Sequence, residues 1–131
     1  MAIVSLYAAL MTVLFVALSI RTIRLRRQLH IPVGDGGNAA LLRAMRAHAN
    51  FAEYVPSGLL LMLFVSTIGA PSGWIHALGL ALLIGRGLHG FGVSRVEEDY
   101  RFRVSGMALT FTSLLASSGY LLFRSIPALT G

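Results

Sequence analysis

The sequence predicts an all-α integral membrane protein, a bundle of four transmembrane helices. Three observations carry that prediction. Hydrophobic residues make up 56% of the 131 and charged residues only 12%, with a mean hydropathy of +0.75. A soluble domain of this length would expose too much apolar surface. The apolar residues fall into four long runs separated by short breaks. The basic residues are all arginine and gather beside one set of run ends.

The first run, residues 3–20, is uncharged, and Arg21, Arg24, Arg26 and Arg27 extend it to about residue 27. That length crosses a hydrocarbon core of roughly 30 Å. Its positive charges follow the apolar stretch and no small-residue cleavage site stands out, so it reads as a retained helix. "HIPVGDGGNA" breaks the chain with Pro32 and three glycines. Asn38 is a natural N-cap for helix two, expected over 38–68 with Pro56 inside it. "GAPSG" is an uncharged turn, and helix three is expected over 74–92 with Trp74 at an interface. "VSRVEEDYRFR" reads as a charged loop. Residues 104–123 are uncharged and centre a fourth helix over about 102–126.

Four spans put loops 28–37 and 93–101 on one side. Arginines 21, 24, 26, 27, 43, 46, 86, 95, 101 and 103 lie at that side, and Arg124 alone lies near the other. The positive-inside rule makes both loops cytoplasmic and sends both termini to the opposite side. One domain, 1–131, holds the whole chain.

There is no cysteine, so any thiol chemistry needs a thiol brought by a ligand. The arginines sit beside apolar spans, not on a soluble face interleaved with aromatics, which argues against nucleic acid. No metal-ligand spacing, haem motif or phosphate loop is visible. The glycines of "GLHGFG", at 87, 90 and 92, read as sites of close helix approach.

The chemistry concentrates in "RAMRAHANFAEY", residues 43–54. At about 100° per residue, Arg43, Arg46, Asn50, Glu53 and Tyr54 share roughly one third of the helix circumference, and His48 points the other way. On helix three, Arg86, His89 and Val93 share a face. A carboxylate such as Glu53 within a span needs a partner, and Arg46 or Arg86 is in reach by this reading. Paired arginine forks bind carboxylates, and Glu53 suits an amine. The residues therefore point to a small, mainly anionic zwitterion at the cytoplasmic boundary.

At these positions the sequence resembles the MAPEG family, the membrane-associated proteins in eicosanoid and glutathione metabolism, and within it the bacterial branch and the microsomal glutathione transferases. The resemblance rests on "RAHANFAEYVP" in helix two, "IRLRR" in helix one and "GRGLHGFG" in helix three, and it covers nearly the whole chain. It implies a homotrimer in the bacterial inner membrane, with glutathione as cosubstrate in each cleft between neighbouring subunits and a lipophilic second substrate arriving from the bilayer. By position it assigns glutathione contacts to Arg24 (with Arg21 and Arg27 as competitors), Arg46, His48, Asn50, Glu53, Tyr54, His89 and Arg95. It assigns the catalytic cation, which holds the sulfur as thiolate, to Arg101, with Arg103 as the alternative. A thiol of ordinary pKa about 8.5 becomes a better-populated nucleophile beside a fixed cation.

Two features depart from the family pattern. Val93 stands where the eicosanoid enzymes carry a tyrosine, and Glu97, Glu98 and Asp99 lie beside the expected thiolate cation. They leave glutathione binding better supported than turnover. The sequence therefore admits a glutathione transferase or peroxidase, a non-enzymatic membrane protein that binds glutathione or lipid, and a small transporter with Glu53 lining its path.

Overall fold

The computed structural model describes residues 1–97 and 99–130, the last four as backbone alone. Glu98, part of the acidic loop noted above, lies outside the described residues. Four helices follow one another: α1 (Ala2–Leu29), α2 (Ala39–Thr67), α3 (Ser72–Val93) and α4 (Tyr100–Thr130). The helix ends have local causes. His30 adopts a left-handed conformation (φ 56°, ψ 36°) and its backbone N–H returns to the carbonyls of Arg26 and Arg27, closing α1. The Arg26 guanidinium then ties the following loop, with Nη1 donating to the Gly34 carbonyl at 2.9 Å and to that of Ile31 at 3.3 Å. Asn38 opens α2 as the sequence suggests, its Oδ1 accepting from the Leu41 N–H at 3.0 Å. Pro56 sits inside α2 without ending it.

The helices alternate in direction. At one end, the N-terminal ammonium donates to Ser66 Oγ at 3.2 Å, Tyr7 Oη meets His76 Nδ1 at 3.1 Å and Trp74 faces Tyr120. At the other, arginine-rich end, Arg21 Nη2 donates to the Ser94 carbonyl at 2.7 Å. Around the bundle the order is α1, α2, α4, α3, with α2 and α3 also touching across the middle. Helices α1 and α4 do not meet.

By length and composition α1, α2 and the Tyr100–Ile126 part of α4 can each cross a membrane. Helix α3, the third expected span, does not meet the same apolar threshold. Its 22 residues still reach about 33 Å. Arg86, His76, His89 and six glycines lower its mean hydropathy. Arg86 and His89 are buried in the bundle while Leu80, Ile84 and Phe91 face outward.

Helices α3 and α4 pack by backbone proximity. A Cβ built on Gly106 would lie 2.5 Å from the His89 nitrogen and 2.6 Å from the Gly85 carbonyl; one built on Gly85 would lie 2.8 Å from the Gly106 carbonyl. Ser113 Oγ bridges to the Leu78 carbonyl at 2.9 Å. Such small residues let membrane helices approach where no hydrophobic force drives them together. The glycines expected to serve this purpose divide. Gly92 packs against Phe102 and Arg103, but Gly87 has nothing within 4 Å and Gly90 meets only Leu18 methyls, at 3.8 Å or more. The close crossing uses Gly85 instead, on the other side of the helix from Gly87.

A candidate anion-binding cavity

One stripe of α2 supplies Leu42, Arg43, Arg46 and Asn50, spaced by three and four residues so that they line up along the helix. Helix α3 adds His89 and Val93, one turn apart, and α4 adds Arg103. Together they enclose a cavity of about 350 Å³ near the arginine-rich end. Arg43 Nη1 reaches the Val93 carbonyl at 3.4 Å, which links the α2 wall to the end of α3. His89 is buried, whereas Arg46 and Arg103 are exposed. Among the described residues none of the lining side chains is acidic.

Beneath this cavity lies Arg86, only 1% exposed. Its Nη1 donates to Asn50 Oδ1 at 2.8 Å, its Nε to Thr110 Oγ1 at 3.0 Å and its Nη2 to Met107 Sδ at 3.1 Å. The Tyr54 ring lies 5.3 Å from the guanidinium carbon, within cation–π range, and Phe111 packs against Tyr54. Among the described residues no carboxylate takes part. The bond to Asn50 has a consequence for the cavity. With Oδ1 accepting from Arg86, the orientation of the side-chain amide is fixed and its N–H₂ is left as a donor. Three guanidinium groups and an amide donor then converge on one space, an arrangement that favours anions with planar oxygen pairs.

The sequence-derived residues distribute as follows. Arg46, Asn50 and His89 meet at the cavity, joined by Arg43 and Arg103. Tyr54 is half-buried just below, against Arg86. Glu53 is exposed on α2 and forms no ion pair with Arg46 or Arg86, contrary to the pairing the helical wheel suggests. Arg86 is taken by Asn50, Thr110 and Met107 instead. His48 turns toward α1 and stacks on Phe15, with ring centroids 4.7 Å apart. Arg24 borders a different recess, on α1 near Ala40. Arg95 lies over the Phe91 ring at 4.3 Å, in a groove between α1 and α3. Arg101 is exposed in the first turn of α4, outside the cavity of the single chain, and its backbone N–H is capped by Asp99 Oδ1 at 2.9 Å. Sequence reasoning missed the position of Arg86 as the hub beneath the site. Its only legible signal is a charge three residues before His89 in an otherwise apolar span.

A four-helix bundle with spans able to cross a membrane and an arginine-lined cavity at one end describes a small integral membrane protein. Comparison places the chain more closely. The model of the MAPEG family matches residues 4–123, and the chain belongs to that family. It is also similar to the inner membrane protein YecN of Escherichia coli strain K12, at 40% identity over 111 residues, covering 85% of this chain and 83% of the relative. The YecN protein of Escherichia coli O6:H1 matches to the same extent.

Proposed function

We propose that this chain is a glutathione-binding protein of the bacterial inner membrane that acts as a glutathione transferase or peroxidase on lipophilic substrates, as a homotrimer with loops 28–37 and 93–101 in the cytoplasm. The observation that carries the reading is the cavity of Arg43, Arg46, Arg103, Asn50 and His89, free of acidic lining, in a chain of a family associated with glutathione. The two glutathione carboxylates suit the arginine forks. Its ammonium needs a carboxylate, and Glu53 stands exposed two turns along the same helix side from Arg46. Arg24 and His48 face away from their own cavity, so they serve the cleft of a neighbouring copy in this reading.

The chemistry follows from the cation at the start of α4. Arg103, which lines the cavity, holds the glutathione sulfur as thiolate, with Arg101 as the nearby alternative. The thiolate forms a carbon–sulfur bond to an electrophilic carbon; in a substitution the displaced group leaves with the electron pair of its broken bond, and in an addition the pair of the broken π bond takes up a proton from water. With a lipid hydroperoxide the sulfur takes the terminal oxygen, the lipid leaves as an alcohol, and a second glutathione converts the resulting sulfenic acid to the disulfide and water. A second reading, binding without turnover, draws on Arg101 standing outside the cavity.

Glutathione titration of the purified trimer, read with ultraviolet thiolate absorbance, tests both readings. Arg46→Ala should weaken binding by ten-fold or more, since charge-assisted bonds are worth about 1.5–3 kcal/mol. Arg103→Ala should bleach the thiolate signal, with Arg101→Ala run beside it. Binding without thiolate absorbance selects the scaffold. Absence of binding at millimolar glutathione overturns the ligand assignment.

A further inference from the structure

We infer that the outer groove between α1 and α3 is a binding site for one anionic phospholipid, separate from the polar cavity and independent of its proposed ligand. The groove measures about 400 Å³ and opens on the outside of the bundle. Its floor is Gly87 and Gly90. A Cβ on Gly87 would meet nothing within 4 Å and one on Gly90 would only graze Leu18, so these glycines leave a trough open where others in the protein close a helix crossing. Its walls are Leu14 and Leu18 from α1 and Phe91 from α3, and Phe91 is about half exposed. These are surfaces for an acyl chain.

The mouth of the same groove is cationic. Arg21 is anchored there by Nη2 on the Ser94 carbonyl at 2.7 Å. Its Nη1 is shut off from solvent and has no hydrogen-bond acceptor, which makes it the orphaned side-chain donor among the described residues. A buried donor of this kind costs free energy until it finds an acceptor. Arg95 stands across from it, its guanidinium stacked over Phe91 at 4.3 Å. From Arg21 down to Leu14 is about 10 Å of helix, enough to place a charged end at the interface and a greasy end within the hydrocarbon. Among the described residues no acidic side chain lines the groove. Two cations and no carboxylate match a phosphodiester with an uncharged headgroup such as glycerol, and they disfavour a headgroup carrying its own ammonium.

Native mass spectrometry of the intact protein, titrated with phosphatidylglycerol or with phosphatidylcholine of the same chains, tests the site. The expected result is an adduct retained about ten-fold better with phosphatidylglycerol. The double variant Arg21→Gln/Arg95→Gln should reduce it to the phosphatidylcholine level. Gly87→Leu, which fills the trough without touching charge, should reduce retention of both lipids, while the glutathione titration stays at the wild-type value. Arg27→Gln, at an exposed arginine outside the groove, should leave the retention of both lipids unchanged. Helicity by circular dichroism confirms that each variant is folded. Undiminished phosphatidylglycerol binding in Gly87→Leu, or an equal loss in Arg27→Gln, would overturn a discrete site and leave only general attraction of a basic surface for anionic lipid.

Discussion

Gly106→Ala probes the contact on which the cavity rests. The added methyl would lie 2.5 Å from the His89 nitrogen, 2.6 Å from the Gly85 carbonyl and 2.8 Å from His89 Cβ. Carbon makes comfortable contact at about 3.5 Å, so α3 and α4 must part by about 1 Å. The two nearest of these atoms belong to the backbone, so no rotamer change relieves the clash. Overpacking of this kind costs about 1–3 kcal/mol, and alanine returns about 1 kcal/mol in helix preference. Taking the upper end because the clash is with backbone, the net loss is about 2 kcal/mol, or several degrees in Tm. His89 moves with α3, so ligand affinity falls in parallel. Gly119→Ala is the matched control: it gains the same helix preference and meets nothing within 4 Å. Thermal melts in one detergent should put Gly106→Ala well below wild type and Gly119→Ala level with it or above. Equal melting temperatures for the two variants would refute the idea that glycine proximity sets the α3–α4 distance.

Three further outcomes are expected. Arg86→Met should lower glutathione affinity about ten-fold, because Asn50 loses the bond that orients its amide, a charge-assisted bond worth about 1.5 kcal/mol or more. Melting should change little, since removing a buried unpaired cation offsets the lost contacts; unchanged affinity would sink the positioning role. Asn38→Ala should cost about 1 kcal/mol of stability through the lost N-cap while leaving affinity intact, as read by melting and titration together. Ser113→Ala should cost about 0.6 kcal/mol, the usual size of a hydrogen bond between membrane helices, and a loss several times larger in the melt would contradict the single-bond account.

The number of helices was legible because their breaks are chemical. Pro32 with its glycines, Asn38 and the "GAPSG" turn stop or start a helix whatever surrounds them. The stripe of Arg43, Arg46 and Asn50 was legible from spacing alone. The facing of its edges was not. On a helical wheel Tyr54 lies nearest the buried stripe of Ala47, Phe51 and Val55, and Glu53 lies furthest from it. Tyr54 therefore turns in toward Arg86 while Glu53 stays outside, although the two are sequence neighbours. Arg86 was ambiguous for a different reason. A charge in a span can snorkel, pair or be buried, and the choice rests on Asn50 and Thr110, from two other helices. Gly85 and Gly87 carry the same lesson, since one residue type serves a tight crossing on one side of α3 and an open trough on the other.

The cavity draws its walls from both halves of the chain, α2 on one side and the α3–α4 hairpin on the other. Neither half contains a complete site. A ligand held there is thus a strut between the two hairpins, and folding and binding become linked equilibria. At a free concentration one hundred times its Kd, any such ligand adds about 2.7 kcal/mol to the assembled state. Melting temperature measured against ligand concentration then reports occupancy directly, even for a compound that undergoes no reaction.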